Sequence, residues 1–241
     1  MKKVLIVKGS AIGDVVQCLA FASALKTTLD HDIELHWLVS KKCRSLLENN
    51  KFIDKILCIE DYKDSVFRIT KRIYNQRHTL NGLDWLLKFS SAINLQNEQY
   101  DIVVNLHHKV DSKMLSIISN PQKLITAPFL EAEDNLLYNG NKHRLIDYLQ
   151  VVELINNQFD ANTFAETDID YGWYFTKDEI SKTSKLLYNY NLNGKPYIVL
   201  VLGTTWQSKN WPVENWIELT KLLVQSNKKI VLQKAFFQKR H

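Results

Sequence analysis

Hydrophobic positions along the chain fall into short blocks that alternate with longer amphipathic stretches. Short apolar runs predict β-strands at 3–8, 33–39, 55–59 and 101–106. The stretches between and after them predict helices at about 14–29, 41–49, 62–78, 84–97 and 109–119. Short strands that alternate with helices are typical of a parallel sheet covered on both faces. The first half of the chain is therefore predicted to be an α/β domain.

The second half of the chain repeats this alternation after a connector. A helix is predicted at 142–157, and the polar and aromatic stretch 158–175 lacks periodicity. The remaining elements are a helix, a strand, a Pro-initiated helix and a strand start, at 176–191, 197–202, 212–225 and 229–232. We therefore expect one domain at 1–175 and the start of a second, incomplete α/β domain at 176–241, because an independent domain of this class needs about 100 residues.

The turn between the first strand and the first helix is the main candidate site. It carries Gly9 and Gly13, two of only seven glycines in 241 residues. Glycine permits close backbone approach, and the start of a helix presents free N–H groups. Ligands of parallel sheets bind at the carboxyl ends of the strands, where this turn is expected. Asp14 follows the turn, and the pattern leaves open whether its carboxylate caps the helix or acts as a base.

Composition and cysteine spacing narrow the class of protein. The chain is 45% hydrophobic and 24% charged, which is typical of globular proteins. No apolar stretch has the length of a membrane span, and the first apolar run is too short for a signal peptide, so we expect a cytoplasmic protein. The widely spaced Cys18, Cys43 and Cys58 indicate neither a disulfide framework nor a zinc site. No metal or other cofactor is expected.

The charge of the chain favours anionic partners. The formal net charge is +5, which suits nucleotides, phosphorylated lipids or an anionic membrane face. The segment 62–78 interleaves basic and apolar residues, so as a helix it would carry an apolar stripe with a basic flank. This segment is either an ordinary amphipathic helix or a contact with anionic lipid head groups. Nucleic-acid binding is not expected, because no recognised module and no dense basic run is present.

Two segments together go beyond a general α/β pattern. The first is Gly9-Ser10-Ala11-Ile12-Gly13-Asp14-Val15-Val16. The second runs from Gly203 to Trp216 and reads Gly-Thr-Thr-Trp-Gln-Ser-Lys-Asn-Trp-Pro-Val-Glu-Asn-Trp. With the strand-like stretch 100–106, this pair resembles the bacterial heptosyltransferase family, which transfers heptose from ADP-heptose to the inner core of lipopolysaccharide. The resemblance extends over residues 1 to about 233.

The resemblance implies a fold, a base and a donor site. The fold is GT-B, with a Rossmann-like N-terminal domain for the acceptor and a second Rossmann-like domain, incomplete here, for the nucleotide sugar. Asp14 matches the proposed general base, which takes the proton of the acceptor hydroxyl during an inverting attack on the anomeric carbon. Thr204, Thr205 and Lys209 match residues that face the donor diphosphate, where they would neutralise charge on the leaving ADP. The scheme needs no metal ion.

The acceptor side of the resemblance involves Ser10, Gly13, His107 and Arg144. The segment from Asn105 to His108 replaces the acidic and Gln-Gly residues usual in the family, so local acceptor contacts are expected to differ. The implied partners are ADP-heptose and an anionic glycolipid of the lipid A–Kdo type. Through 62–78, a peripheral contact with the cytoplasmic face of the inner membrane is also implied.

The end of the sequence departs from the family pattern and leaves three hypotheses open. Residues 233–236 replace the Gly-Gly turn with which the family continues, as a frameshifted or truncated gene would. The chain is therefore an active glycosyltransferase that obtains a donor site elsewhere, or a non-catalytic remnant that binds acceptor or membrane. The third hypothesis is an unrelated α/β nucleotide-binding enzyme. Turnover by the isolated chain is expected to be weak or absent, because one wall of the cleft would be missing.

Overall fold

The computed structural model describes residues 1–29, 33–62, 95–107, 109–126, 144–159, 170–203, 208, 210–226 and 228–234. The chain divides into two compact units, Met1–Tyr174 and Phe175–His241. Each unit combines parallel strands with helices, which is the α/β class that the alternation predicts.

The first unit is organised around a five-stranded parallel sheet. Its strands are β1 to β5, at Lys2–Val7, Ile33–Val39, Lys55–Cys58, Ile102–Asn105 and Lys123–Thr126. They lie in the order β3-β2-β1-β4-β5, so β1 is central. Val4 to Val7 are completely buried because both faces of the sheet are covered, which explains the uninterrupted apolar run of β1.

Helices cover the two faces of this sheet. Among the described residues of the unit, α-helices α1 to α3 lie at Ile12–Thr28, Val110–Ile118 and Arg144–Phe159, and short 3-10 helices lie at Lys41–Leu46 and Ile59–Tyr62. On one face α1 packs against α3, and the core there includes Leu19, Trp37 and Val152. On the other face the core includes Leu38 and Leu115, the latter from α2.

The end of the predicted connector is anchored to the first unit. Trp173 donates its indole N–H to the carbonyl of Leu46 at 3.0 Å, and the side-chain amide of Asn50 donates to the carbonyl of Tyr171 at 2.7 Å. Gly172 between them has a φ of +67°, and a Cβ there would lie 2.6 Å from the ring of Phe52. Both the backbone angle and the lack of space require glycine at this position.

The second unit contains two parallel strands. The elements in its described part are α4, β6, α5 and β7, at Lys177–Asn189, Tyr197–Leu202, Val213–Gln225 and Lys229–Lys234. The paired residues run from Tyr197 opposite Lys229 to Leu202 opposite Lys234. An apolar pocket of about 340 Å³ lies between α5 and the strands, lined in part by Leu202, Trp216 and Leu232.

Within the described residues, the predicted elements agree with the structure except at two places. The helix predicted at 41–49 is the 3-10 helix Lys41–Leu46, in which Cys43 is buried, so that prediction was wrong in type and length. Strand β5 was not predicted, because its four residues are at least partly exposed and carry little apolar signal. The predicted helices at 62–78 and 84–97 lie outside the described residues, apart from Tyr62 and the helical residues 95–97.

No helix in the part of the chain that the structure describes is long and apolar enough to cross a membrane. The peripheral membrane contact through 62–78 stays a prediction, because residues 63–78 lie outside the described residues.

A buried histidine connects β2 to the segment before β4. The side chain of His36 is fully buried, and its Nδ1 accepts a hydrogen bond from the hydroxyl of Tyr100 at 2.8 Å. Its Nε2 donates to a carboxylate oxygen of Glu34, also at 2.8 Å. One neutral tautomer satisfies both bonds. Burial lowers the pKa of His36 and outweighs the opposing hydrogen bond to Glu34.

We expect acidification to weaken the fold through His36. Because its pKa is lower in the folded protein, the unfolded chain binds the proton first, and stability falls as the pH drops through the ordinary value of 6.5. Urea unfolding at about pH 7.5 and about pH 5.5 should show a loss of about 1 kcal/mol that His36→Asn does not show. Equal pH dependence in both proteins would contradict this assignment.

Candidate active site

The turn after β1 is fixed at the carboxyl edge of the sheet by its neighbours. The backbone N–H of Lys8 donates to the carbonyl of Leu38 at 3.1 Å, and the N–H of Ser40 donates to the carbonyl of Gly9 at the same distance. The N–H of Leu106 bonds the carbonyl of Val7 at 2.9 Å. The ends of β1, β2 and β4 therefore meet around this turn, which is where ligands of parallel sheets bind.

His107 and Ile59 close over Gly9. A Cβ on Gly9 would lie 2.5 Å from Cδ1 of Ile59 and 3.7 Å from the ring of His107. His107 is buried, and its backbone N–H donates to Oδ1 of Asn105 at 3.0 Å, which fixes the chain after β4. The structure thus brings His107 to the turn that carries Ser10 and Gly13. A role for these residues in acceptor binding stays a prediction.

Asp14 is the third residue of α1, and its carboxylate caps the start of the helix. Its Oδ2 accepts the backbone N–H of Ala11 at 3.3 Å, which satisfies one of the free donors at the start of the helix. The side chain is nevertheless 45% exposed. A carboxylate that is both anchored and accessible suits proton abstraction from a bound hydroxyl.

Lys8 lies beside Asp14, although the sequence analysis did not predict it as a candidate site residue. The side chain of Lys8 is 3% exposed, and its Nζ lies 3.5 Å from Oδ2 of Asp14. The ammonium also lies 5.7 Å from the centre of the Tyr148 ring, a distance at which a cation is attracted to an aromatic face. The carbonyl of Lys8 accepts the indole N–H of Trp37 at 3.1 Å. The available signal was a lysine placed directly after an apolar strand and before a glycine.

Cys18 lies one helical turn after Asp14 but is chemically inert. The thiol is completely buried in the core of the first unit. Burial raises the pKa of Cys18 far above its usual range, so the nucleophilic thiolate does not form at neutral pH. Cys18 is therefore not a candidate nucleophile of this site.

Several predicted site residues lie beyond what the structure describes. Thr204, Thr205 and Lys209 of the predicted donor site are outside the described residues, as is His108. Arg144 begins α3, but its side chain is not described. Across the described ranges, no three side chains of His, Cys, Asp or Glu lie close enough to share a metal ion.

Comparison with known proteins identifies similar chains across both units. A family model described as glycosyltransferase family 9 (heptosyltransferase) matches residues 89–236. The chain is 24% identical over 240 residues to lipopolysaccharide heptosyltransferase 1 of Campylobacter coli, and the match covers 92% of this chain and 61% of that protein. The chain therefore spans about three fifths of the length of this curated relative.

Several solved structures have a similar fold. A glycosyl transferase family 9 protein of Veillonella parvula superposes with a TM-score of 0.70 at 16% identity. That match covers 96% of this chain and 62% of the other. E. coli ADP-heptose LPS heptosyltransferase II has a TM-score of 0.64 at 16% identity, with coverage of 96% and 64%. E. coli heptosyltransferase WaaC with ADP has a TM-score of 0.60 at 21% identity, with coverage of 95% and 67%. At these identities the likeness concerns the fold, which is the GT-B heptosyltransferase fold.

Alanine substitutions at the two glycines of the turn should have opposite effects on stability. Gly9→Ala would push a Cβ against Ile59, and we expect it to lower the free energy of unfolding by about 1 kcal/mol. Gly13 has no atom within 4 Å of its added Cβ and lies in the first turn of α1. Gly13→Ala should therefore stabilise the fold by about 0.5 kcal/mol. Urea titration of both variants checks this, and equal effects would refute it.

Proposed function

The chain belongs to glycosyltransferase family 9, the heptosyltransferases, and on that premise we propose that it transfers heptose from ADP-heptose to an anionic glycolipid of the lipopolysaccharide inner core. The observation that carries this proposal is the geometry of Asp14. Its carboxylate is anchored at the carboxyl edge of the sheet, partly exposed, and paired with a buried ammonium. A carboxylate placed in this way can act as the base of a glycosyl transfer.

In the proposed reaction Asp14 accepts the proton of the acceptor hydroxyl. The oxygen of that hydroxyl forms a bond to the anomeric carbon, and the bond from this carbon to the diphosphate breaks on the opposite face. The electron pair of the broken bond leaves with ADP, and the configuration of the anomeric carbon inverts. The protein supplies position and charge for this step, and no group of the protein becomes covalently attached to the sugar.

The donor part of the proposal depends on Thr204, Thr205 and Lys209. Structures of E. coli heptosyltransferase WaaC hold ADP and ADP-2-deoxy-2-fluoro heptose, which supports a nucleotide sugar of this class as the donor. The two hydroxyls and the ammonium would contact the diphosphate and offset the charge that grows on the leaving ADP.

The acceptor part of the proposal places an anionic glycolipid at the turn after β1. Ser10 and Gly13 belong to the segment between β1 and the first turn of α1, the ring of His107 approaches Gly9, and Arg144 begins α3. The net charge of +5 favours such an acceptor. We further propose that the chain works at the cytoplasmic face of the inner membrane, with 62–78 as a peripheral contact.

Calorimetry with ADP and ADP-heptose tests the donor part. We expect ADP-heptose to bind with a dissociation constant between about 1 μM and 1 mM, the range usual for enzyme substrates, and UDP-glucose to bind much more weakly. Lys209→Ala should weaken binding at least about tenfold, because a charged hydrogen bond to phosphate is lost. A folded chain that binds the glycolipid acceptor but not ADP-heptose would contradict the transferase proposal and leave acceptor binding without transfer.

Replacing Asp14 tests the base. Asp14→Asn should lower kcat about 100-fold or more while leaving the affinity for ADP-heptose unchanged, because the amide cannot take the proton. Asp54→Asn is the matched control, since Asp54 is a similarly exposed carboxylate that pairs with the buried Lys26 away from the turn. Turnover is measured as ADP release with an inner-core glycolipid. Equal losses in the two variants would show a structural role for Asp14.

A further inference from the structure

The first unit contains two buried lysines, each paired with a partly exposed carboxylate. Lys26 in α1 is 8% exposed at its side chain and pairs with Asp54, which is 43% exposed. Lys8 is 3% exposed and pairs with Asp14, which is 45% exposed. The two pairs are therefore matched in residue type and burial, and they differ in geometry and in place.

The Lys26 pair has the geometry of a structural ion pair. Its Nζ lies 2.6 Å from Oδ2 of Asp54 and 2.6 Å from the carbonyl oxygen of Ile33. The same Oδ2 accepts the backbone N–H of Leu35 at 2.7 Å. A buried ammonium is costly unless short hydrogen bonds of this kind compensate for its lost hydration.

The charged atoms of the Lys8–Asp14 pair lie farther apart than those of the Lys26–Asp54 pair. Nζ of Lys8 is 3.5 Å from Oδ2 of Asp14, at the outer limit of a hydrogen bond, and the face of the Tyr148 ring supplies the other stabilising contact. Within the described part of the chain, the ammonium has one carboxylate partner at this long distance. Such an ammonium acts on Asp14 mainly through its charge and leaves the carboxylate able to bind something else.

The two oxygens of Asp14 have different surroundings. Both the Lys8 ammonium and the Ala11 N–H approach Oδ2. Among the described residues, no hydrogen bond is formed by Oδ1. One oxygen therefore anchors the side chain, and the other is available to a substrate hydroxyl.

We propose that Lys8 is a positioning residue of Asp14, whose charge draws Oδ2 towards the buried side and leaves Oδ1 to the acceptor hydroxyl. This inference rests on the proposed function, in which Asp14 is the base. Both substrates of that function are anionic, and their negative charges would favour the protonated carboxyl when they bind beside it. The charge of Lys8 opposes that effect from the buried side.

The proton balance of this step is simple. The proton of the acceptor hydroxyl moves to Oδ1 of Asp14, the sugar bond forms, and ADP leaves with the electron pair of the broken bond. Lys8 keeps its own protons throughout. Because the side chain of Asp14 is partly exposed, the carboxyl then returns its proton to water, and the nearby ammonium favours this return.

The first test does not depend on turnover. The carboxyl carbon of Asp14 is followed by NMR as a function of pH in the whole chain, in wild type, Lys8→Met, Lys8→Arg and the matched control Lys26→Met. We expect its transition to move upward by about one pH unit in Lys8→Met, to return towards wild type in Lys8→Arg, and to stay in place in Lys26→Met. An unchanged transition in Lys8→Met overturns the proposal. If Lys8→Met does not fold, Lys8→Gln, which keeps donors but not the charge, gives the same readout.

The second test uses the pH dependence of kcat. In Lys8→Met the acidic limb should move up by about one pH unit, so that kcat at a fixed pH well down that limb falls about tenfold, and KM for ADP-heptose should stay constant. Lys8→Arg should recover most of this loss. An active wild type whose profile Lys8→Met does not alter overturns the positioning role. An inactive wild type in which the carboxyl transition still moves contradicts the proposed transferase function and supports the charge coupling between Lys8 and Asp14.

Discussion

Strand β1 lies between β2 and β4, and its residues Val4 to Val7 have no contact with solvent. Full burial of each such side chain stabilises the fold by about 1.5–3 kcal/mol, so the position of this strand is strongly determined. The turn that follows begins at the end of this buried strand, and backbone hydrogen bonds from the N–H groups of Lys8 and Ser40 connect it to β2 and the residue after it. The place of Asp14 at the carboxyl edge is a consequence of that packing.

The two Lys–Asp ion pairs of the first unit have the same residue types but different distances between their charges. Lys26 and Asp54 form a short pair that contributes to the join between α1 and the neighbouring β2 and β3 segments. Lys8 and Asp14 form a longer pair at the turn, where a partly exposed carboxylate can meet a substrate. A structural pair is short, and its ammonium has further hydrogen-bond acceptors. A pair at a reaction site is longer and leaves the carboxylate able to contact a substrate.

The family match and the proposed base lie in different parts of the chain. The matched range 89–236 includes β4, α3 and the strands of the second unit, but not the turn with Asp14. The relative from Campylobacter coli aligns with 92% of the chain, and the solved structures cover 95–96% of it. Family membership thus supports the class of reaction, while the assignment of the base depends on the geometry around β1.

The sequence by itself determined the class of fold, most element bounds and the turn as the candidate site, because apolar periodicity and turn chemistry depend on residues close together in the chain. The sequence did not predict strand β5 or the 3-10 form of Lys41–Leu46, because both depend on tertiary neighbours. Only the tertiary structure decided that the buried ammonium of Lys8 lies beside Asp14 and that His107 closes over Gly9. The physical reason is that the burial of Lys8 beside Trp37 and Tyr148, like the approach of His107 to Gly9, arises from packing of segments far apart in the sequence.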